Sequence, residues 1–126
     1  MKYKTPLRYP GGKSKAMNKM APYFPPKNSV VHYREPFLGG GSVALWMTQN
    51  YNPETIWVND LYWPLYNFWI HLQKVPTILS DELREAKLSN SDEDKARKLF
   101  EVNKEILNDL NETPLQKAKA FWIINK

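Results

Sequence analysis

Apolar residues in the first half of the chain gather in two short runs that are typical of β-strands. Residues 30–34 (Val-Val-His-Tyr-Arg) and 55–58 (Thr-Ile-Trp-Val) are rich in β-branched and aromatic side chains, and each run ends in a polar or acidic residue before a turn or helix. Between them, residues 42–49 carry apolar side chains at helical spacing, with Ser42 as the expected N-cap. The order strand, turn, helix, strand predicts a βαβ unit.

The second half of the chain has the pattern of charged helices with few breakers after Pro76. This pattern predicts a helix that begins near Ser91 or Asp92, with the polar stretch 88–95 as a loop leading into it, and a further helix after Thr113 and Pro114. The apolar residues that recur at helical spacing are Ala96, Leu99, Phe100, Ile106, Leu107 and Leu110. We therefore expect an α/β fold with a helical second half.

Composition favours a single globular domain. The chain has 126 residues, of which 42% are hydrophobic and 25% charged, and this is enough for one domain with a core. No apolar run approaches the roughly 18 residues that a membrane span requires, and no basic-then-apolar leader opens the sequence, so we expect a cytoplasmic protein with no membrane contact. The net charge of +5 favours a polyanionic partner only weakly, because such an excess is also common in other proteins.

The sequence predicts no metal site. It contains no cysteine, and its two histidines, His32 and His71, lie far apart without a carboxylate pattern between them. We interpret both histidines as packing or surface residues.

A glycine-rich turn follows the first predicted strand. The sequence from Glu35 to Ser42 is Glu-Pro-Phe-Leu-Gly-Gly-Gly-Ser, and glycines in such a turn let a ligand approach the backbone closely. The second strand ends in Asn59 and Asp60, and Asp60 lies 19 residues after Gly41. That is close to the interval of about 20 residues at which an acid meets the ribose hydroxyls in nucleotide-binding βαβ units. The pattern predicts a cofactor loop; the alternative is a tight turn with a capping aspartate.

A second glycine pair, Gly11 and Gly12, precedes Lys13 and Ser14. These residues mimic the end of a phosphate-binding P-loop, but Leu7 stands where that motif needs a glycine and no strand leads in, so we reject an NTPase. The remaining set is an aromatic ring, a flexible turn and two lysines. Such a set can cover an adenosine-bearing ligand and place an ammonium near its carboxylate or near DNA phosphates.

Three segments together resemble the signatures of the Dam-like, or D12, class of DNA adenine methyltransferases. They are residues 9–15 (Tyr-Pro-Gly-Gly-Lys-Ser-Lys), 34–43 (Arg-Glu-Pro-Phe-Leu-Gly-Gly-Gly-Ser-Val) and 58–60 (Val-Asn-Asp), and their order and spacing also fit. A looser similarity continues to the end of the sequence. The resemblance implies a partial Rossmann-like, S-adenosylmethionine-dependent methyltransferase fold. It also implies transfer of the methyl group of S-adenosylmethionine to the exocyclic amino group of adenine in DNA.

The resemblance also assigns roles to individual residues. Lys13 is expected at the carboxylate of the cofactor and Asp60 at its ribose. Glu35 and Pro36 are expected to shape the turn, and Leu61 is a candidate wall for the adenine ring or simply a core residue. The cofactor-binding residues implied in this way are Tyr9, Lys13, Phe37, Gly39, Gly41 and Asp60.

The catalytic signature of the family, Asp or Asn followed by Pro-Pro and an aromatic residue, is absent from these 126 residues. Its acceptors direct the lone pair of the adenine nitrogen at the methyl group. Pro25 and Pro26 are flanked by Phe24 and Lys27, so we interpret them as loop. We assign no catalytic residue and expect at most cofactor binding from this chain alone. The predicted organisation is an S-adenosylmethionine-binding portion over residues 1–126, with the motifs in 1–78 and a mainly helical segment in 79–126.

Two further expectations follow from the resemblance. We expect a complementary carboxyl-terminal chain, or self-association, to cover apolar surface of this chain. Without such a partner, four tryptophans should be incompletely buried: Trp57, Trp63, Trp69 and Trp122. One alternative is a non-catalytic DNA- or protein-binding module with a basic cluster formed by Lys2, Lys4, Arg8, Lys13 and Lys15. Another is an α/β domain whose glycines serve only turns.

Overall fold

The computed structural model describes residues 3–126, so Lys2, a member of the predicted basic cluster, lies outside the described residues. The chain divides into two compact units, the first ending at Leu61 and the second running from Tyr62 to Lys126. This division reflects packing; the predicted organisation into residues 1–78 and 79–126 stays a prediction.

The first unit contains the predicted βαβ arrangement. Its helices are α1 (Met17–Met20) and α2 (Ser42–Asn50), two 3-10 turns lie at Ala21–Tyr23 and Lys27–Ser29, and its strands are β1 (His32–Glu35) and β2 (Thr55–Val58). The strands pair in parallel, from His32 opposite Thr55 to Glu35 opposite Val58. Strand β2 has the predicted bounds.

Strand β1 begins two residues later than predicted. Val30 is the C-cap of the preceding 3-10 turn. The carbonyl of Val31 nevertheless accepts a hydrogen bond from the Glu54 N–H at 2.9 Å. The pairing between the two segments therefore starts before regular strand geometry does.

The predicted N-cap of α2 was wrong by one residue. Gly41 is the N-cap, in the left-handed conformation with φ 70°, and Ser42 is the first helical residue. A glycine adopts positive φ without the steric penalty of a Cβ, so the turn can enter the helix at that residue. The Ser42 hydroxyl instead lies 2.8 Å from the hydroxyl of Ser14.

The second unit consists of four helices, namely α3 (Trp63–Lys74), α4 (Pro76–Ser89), α5 (Glu93–Asn108) and α6 (Pro114–Asn125). Two predicted helix starts are confirmed by their caps. The Asp92 carboxylate accepts from the Lys95 N–H at 2.9 Å, and the Thr113 hydroxyl accepts from the Gln116 N–H at 3.2 Å.

The predicted loop over residues 88–95 was wrong. Helix α4 continues through Ser89 and α5 starts at Glu93, which leaves only residues 90–92 between them. Asn90 donates from Nδ2 to the Ala86 carbonyl at 2.9 Å, and this bond satisfies a carbonyl in the last turn of α4. Glu93 and Asp94 occupy the first turn of α5, where negative side chains favour the helix dipole. A polar stretch here indicates solvent exposure and not a lack of helix.

The core of the second unit forms around α3. Leu65 and Phe68 of α3 and Leu79 of α4 are fully buried. The Phe68 ring lies 5.9 Å from that of Phe121 in α6, and Asn67 donates to the Pro114 carbonyl at 2.7 Å. These contacts fix α6 against α3.

The first unit has a smaller core that retains slight exposure. Its buried apolar residues are Leu7, Met17, Leu38, Ala44 and Met47. The expected incomplete burial of four tryptophans is confirmed, since Trp57 is 52% and Trp63 is 48% exposed, and Trp69 and Trp122 are partly buried.

The mixture of helices with a small parallel sheet agrees with the expected α/β class and is compatible with a methyltransferase fold. Within residues 3–126, no helix is both long enough and apolar enough to cross a membrane.

Candidate functional site

A cavity of about 410 Å³ lies in the first unit, where the glycine-rich turn (residues 36–41) meets the segment that carries Tyr9. Ligand sites for small molecules commonly measure about 300–1,000 Å³. All six residues implied as cofactor-binding line this cavity: Tyr9, Lys13, Phe37, Gly39, Gly41 and Asp60. The structure therefore brings them together, and their contact with a cofactor stays a prediction. Leu61, the candidate adenine wall, is not among the lining residues and is 93% exposed.

Tyr9 packs directly on the backbone of the glycine-rich turn. A Cβ added to Gly40 would lie 2.9 Å from the Tyr9 Cβ, and one added to Gly39 would lie 3.1 Å from its Cε1. Gly39 also has φ 55°, in the left-handed region. Both glycines are therefore needed for this close approach, which joins two segments some thirty residues apart in sequence.

Asp60 holds the turn from the end of β2. Its Oδ2 accepts a hydrogen bond from the Gly39 N–H at 2.9 Å, and the neighbouring Asn59 carbonyl accepts from the Leu38 N–H at 2.8 Å. Asp60 also lines the cavity. The Asp60 carboxylate thus combines the turn-stabilising role that the sequence left open as an alternative with a position at the cavity.

Glu35, at the carboxyl end of β1, lines the cavity together with Lys13. Its Oε2 accepts a hydrogen bond from the Tyr33 hydroxyl at 2.8 Å. Burial raises the pKa of the Glu35 carboxyl, and the Tyr33 hydrogen bond, the Lys13 ammonium and the Ala44 N–H partly offset this rise. Burial, followed by the contact with Glu35, also raises the pKa of the Tyr33 hydroxyl.

Sequence reasoning gave Glu35 only a role in shaping the turn. The signal that could have identified it as a lining residue is its place at the carboxyl end of a parallel strand, where α/β proteins bind their ligands. The sequence had predicted one ammonium, that of Lys13, and one carboxylate, that of Asp60, at this site. The structure adds the carboxylate of Glu35.

The first turn of α2 also faces the cavity, because Gly41, Ser42 and Val43 are among its lining residues. Helix N-termini carry unpaired N–H groups and the positive end of the helix dipole. This end of the cavity therefore favours a negatively charged ligand group, as does Lys13 beside it.

Residues 3–15, which we call the strap, cross the glycine-rich turn and α2. The Tyr3 N–H donates to Gln49 Oε1 at 2.6 Å, and Gln49 Nε2 donates to the Tyr3 carbonyl at 3.0 Å. Further along the strap, the Thr5 hydroxyl donates to the Gly40 carbonyl, and Ser14 meets Ser42. Tyr9 and Lys13 are thus held at the cavity by contacts of residues that precede them and of the residue that follows Lys13.

Two other predicted features concern chemistry outside the cavity. Residues 25 and 26 lie in irregular structure before the second 3-10 turn, as expected for a loop, and the Pro25 carbonyl accepts from the Tyr51 hydroxyl at 2.8 Å. Among residues 3–126, no three His, Asp or Glu side chains gather in a way that could hold a metal ion.

Comparison with models of known protein families gives a match. A family model described as D12 class N6 adenine-specific DNA methyltransferase matches residues 9–126. No curated protein sequence is similar enough to this chain to count as a match. The matched range begins at Tyr9 and includes every residue that lines the cavity.

Proposed function

Because the chain belongs to the D12 class N6 adenine-specific DNA methyltransferase family, we propose that its first unit binds S-adenosylmethionine in the cavity at the glycine-rich turn. The methyl group is destined for the exocyclic amino group of adenine in DNA. The observation that supports this proposal is the convergence of Tyr9, Lys13, Glu35 and Asp60 on one cavity from three separate segments. On this proposal the βαβ unit is part of a Rossmann-like fold.

The charges around the cavity suit the amino-acid end of S-adenosylmethionine. That end carries a carboxylate and an ammonium, and the cavity offers Lys13 with the N-terminus of α2 for the first and Glu35 for the second. Hydrogen bonds to charged groups contribute about 1.5–3 kcal/mol each. The pair of opposite charges therefore selects for a zwitterion over a simple anion.

Other lining residues suit the nucleoside end of S-adenosylmethionine. On this proposal Asp60 accepts hydrogen bonds from the ribose hydroxyls. Phe37, which is 80% exposed although it lines the cavity, offers an apolar ring surface. An exposed aromatic ring loses water contact when a flat base covers it, which favours binding. Tyr9 supplies a second ring at the cavity.

Methyl transfer requires groups that these 126 residues do not include. No Asp or Asn followed by Pro-Pro and an aromatic residue occurs in the sequence, so we assign no catalytic residue. On this proposal the signature is supplied by residues outside 1–126, in the same polypeptide or in a complementary chain. A methylation assay on adenine-containing duplex DNA, with and without such a segment, tests this point; methyl transfer by the 126-residue chain alone would refute it.

Calorimetric titration with S-adenosylmethionine tests the proposed cofactor site. Tyr9→Ala and Asp60→Ala should each weaken binding by about tenfold or more, since each removes a contact of about 1.4 kcal/mol or more. Asp60→Asn should lie between the wild type and Asp60→Ala, because an amide oxygen still accepts from the Gly39 N–H but carries no charge.

Tyr23→Ala is the matched control, since Tyr23 is 89% exposed and does not line the cavity. Circular dichroism would establish that each variant keeps its fold. An absence of binding to the wild type, or equal affinity of all four variants, would overturn the cofactor site and leave a domain whose glycines serve only turns.

A second candidate function is a DNA- or protein-binding module without a cofactor. It is favoured by one observation, which is that all basic side chains of the described first unit are exposed. DNA binding by a wild-type chain that fails to bind S-adenosylmethionine would support this alternative.

A further inference from the structure

The net positive charge of the protein comes from its first unit. Residues 1–61 contain eight Lys and Arg against three Asp and Glu, whereas residues 62–126 contain ten of each kind. The first acidic residue of the whole chain is Glu35. The full net charge of +5 therefore belongs to the first unit, and the segment before β1 carries positive charges alone.

The two units also differ in how their charges are paired. In the second unit five ion pairs join basic to acidic side chains: Arg84 with Asp81, Lys95 with Asp92, Arg97 with Glu93, Lys104 with Glu101, and Lys119 with Glu82. In the described part of the first unit, Lys4 and Lys15 are exposed, and neither has a carboxylate within 4 Å among residues 3–126. The ammonium groups of Lys4 and Lys15 are thus accessible to solvent and to a partner.

The strap holds these lysines near the cavity. Lys4 precedes Thr5, which is bonded to Gly40, and Lys15 follows Ser14, which is bonded to Ser42. Arg8, also exposed, precedes Tyr9, whose ring packs on the glycine-rich turn. Three cations therefore lie along a segment that is fixed to the rim of the cavity at intervals.

We propose that the strap is a docking surface for the phosphate backbone of duplex DNA, which it contacts through Lys4, Arg8 and Lys15. The inference rests on the proposed function, because the family supplies DNA as the class of partner. Phosphate contacts of this kind are independent of base sequence and position the protein on the duplex. The strap would thus hold the cofactor cavity near the nucleic acid through residues next to those that line the cavity.

The salt dependence of DNA binding tests the proposal. Each phosphate contact contributes about −0.9 to the slope of log K against log salt concentration. The double variant Lys4→Gln/Lys15→Gln should therefore reduce the steepness of that slope by about 2 and weaken binding several-fold at low salt. Fluorescence anisotropy with a labelled duplex, over a series of salt concentrations, measures both quantities.

The matched control is Lys87→Gln/Lys98→Gln. Both lysines are exposed in the second unit and take part in none of its ion pairs, so the control removes the same charge from the neutral unit. It should leave the slope unchanged. Equal effects of the two double variants, or an unchanged slope for the strap variant, would overturn the proposal, as would a larger effect on duplex RNA than on duplex DNA.

Titration with S-adenosylmethionine separates this inference from the proposed function. The strap variant should bind the cofactor as the wild type does, because Lys4 and Lys15 do not line the cavity. A wild type that binds no cofactor but shows the predicted difference in slope would refute the cofactor site and support the strap as a DNA surface. Cofactor binding by the wild type without a difference in slope would support the cofactor site and refute the strap as a DNA surface.

Discussion

Glu35 lies at a position where burial disfavours its ionised form. The carboxyl is partly buried at the end of β1, and burial raises its pKa more than Tyr33, Lys13 and the Ala44 N–H together lower it. Folding is therefore less favourable when Glu35 is ionised than when it is protonated. A charge kept at such a cost is typical of functional sites, where the gain appears only when the ligand binds.

The sign of the pKa shift gives a testable pH dependence. Because the folded-state pKa is raised, the favourable contribution of Glu35 is fully present below the unfolded value of 4.5 and is lost as pH rises through the folded value. Glu35→Gln has no such loss, so the variant should gain stability relative to the wild type as pH rises from about 4 to 7.5. Solvent screening of a half-exposed group keeps the gain under about 1 kcal/mol.

Thermal unfolding of both proteins across that pH range measures the effect. In a titration with S-adenosylmethionine at pH 7.5, Glu35→Gln should bind more weakly than the wild type, because the ammonium of the cofactor loses its carboxylate partner. A variant that is both more stable and a better binder would contradict the role given to Glu35.

At single residues, the sequence identified positions better than it identified contacts. The interval between Gly41 and Asp60 predicted a shared site, and both residues line the cavity. The bond from Gly39 to Asp60 could not be predicted, because it depends on how far the turn folds back over β2. The exposure of Leu61 could not be predicted either, because the presence of an apolar residue beside a motif does not indicate where its side chain points.

Among the elements, the strap is the one whose position depends most on side chains. Gln49 of α2 donates to and accepts from the backbone of Tyr3, so a single amide holds the beginning of the strap. Net contributions of such hydrogen bonds are about 0.5–1.5 kcal/mol each, and less where water competes. Loss of Gln49 should therefore loosen the strap without unfolding the unit.

Limited trypsin digestion tests that expectation. Gln49→Ala should speed cleavage after Lys4 and Arg8, because a protease requires locally released backbone. The same variant should raise the dissociation constant for S-adenosylmethionine about two- to fivefold. Gln73→Ala provides the control, since Gln73 is an exposed glutamine on a helix of the second unit. Unchanged cleavage rates in Gln49→Ala would show that the other contacts of the strap suffice to hold it.

Local chemical signals predicted both bounds of β2 and the starts of α5 and α6, whereas the cap predicted for α2 was wrong by one residue. Strand β2 is a short run of β-formers between polar residues, and α5 and α6 begin at side chains that cap them. Helix α1 has four residues and no such signal, and the end of α4 was missed because exposed helix and loop share a polar composition. Local capping thus predicts where a helix starts better than polarity predicts where one stops.

For the molecule as a whole, the two units differ in how completely their cores are buried. The largest fully buried side chains, Leu65, Phe68 and Leu79, all belong to the second unit. Buried apolar residues in the first unit, such as Leu38 and Met47, retain some exposure, and Leu38 also lines the cavity. The unit proposed to bind the cofactor is therefore expected to be the less stable of the two.

Amide hydrogen exchange followed by mass spectrometry tests this difference. Amides of α3 and α6 should exchange more slowly than those of β1 and β2, since opening the second unit exposes more apolar surface. Saturating S-adenosylmethionine should add protection in the strap and in the glycine-rich turn and leave the second unit unchanged. Equal protection of both units without ligand would contradict the assignment of the weaker core to the first.

The placement of the whole cavity between Tyr9 and Asp60 also has a consequence for biosynthesis. Every group that lines it has been polymerised before the ribosome adds the second unit. Domains generally fold as units in the order of their synthesis, and a ligand stabilises any state that binds it. If the first unit binds S-adenosylmethionine as proposed, cofactor present in the cell would therefore stabilise the nascent first unit while the remaining helices are still being translated.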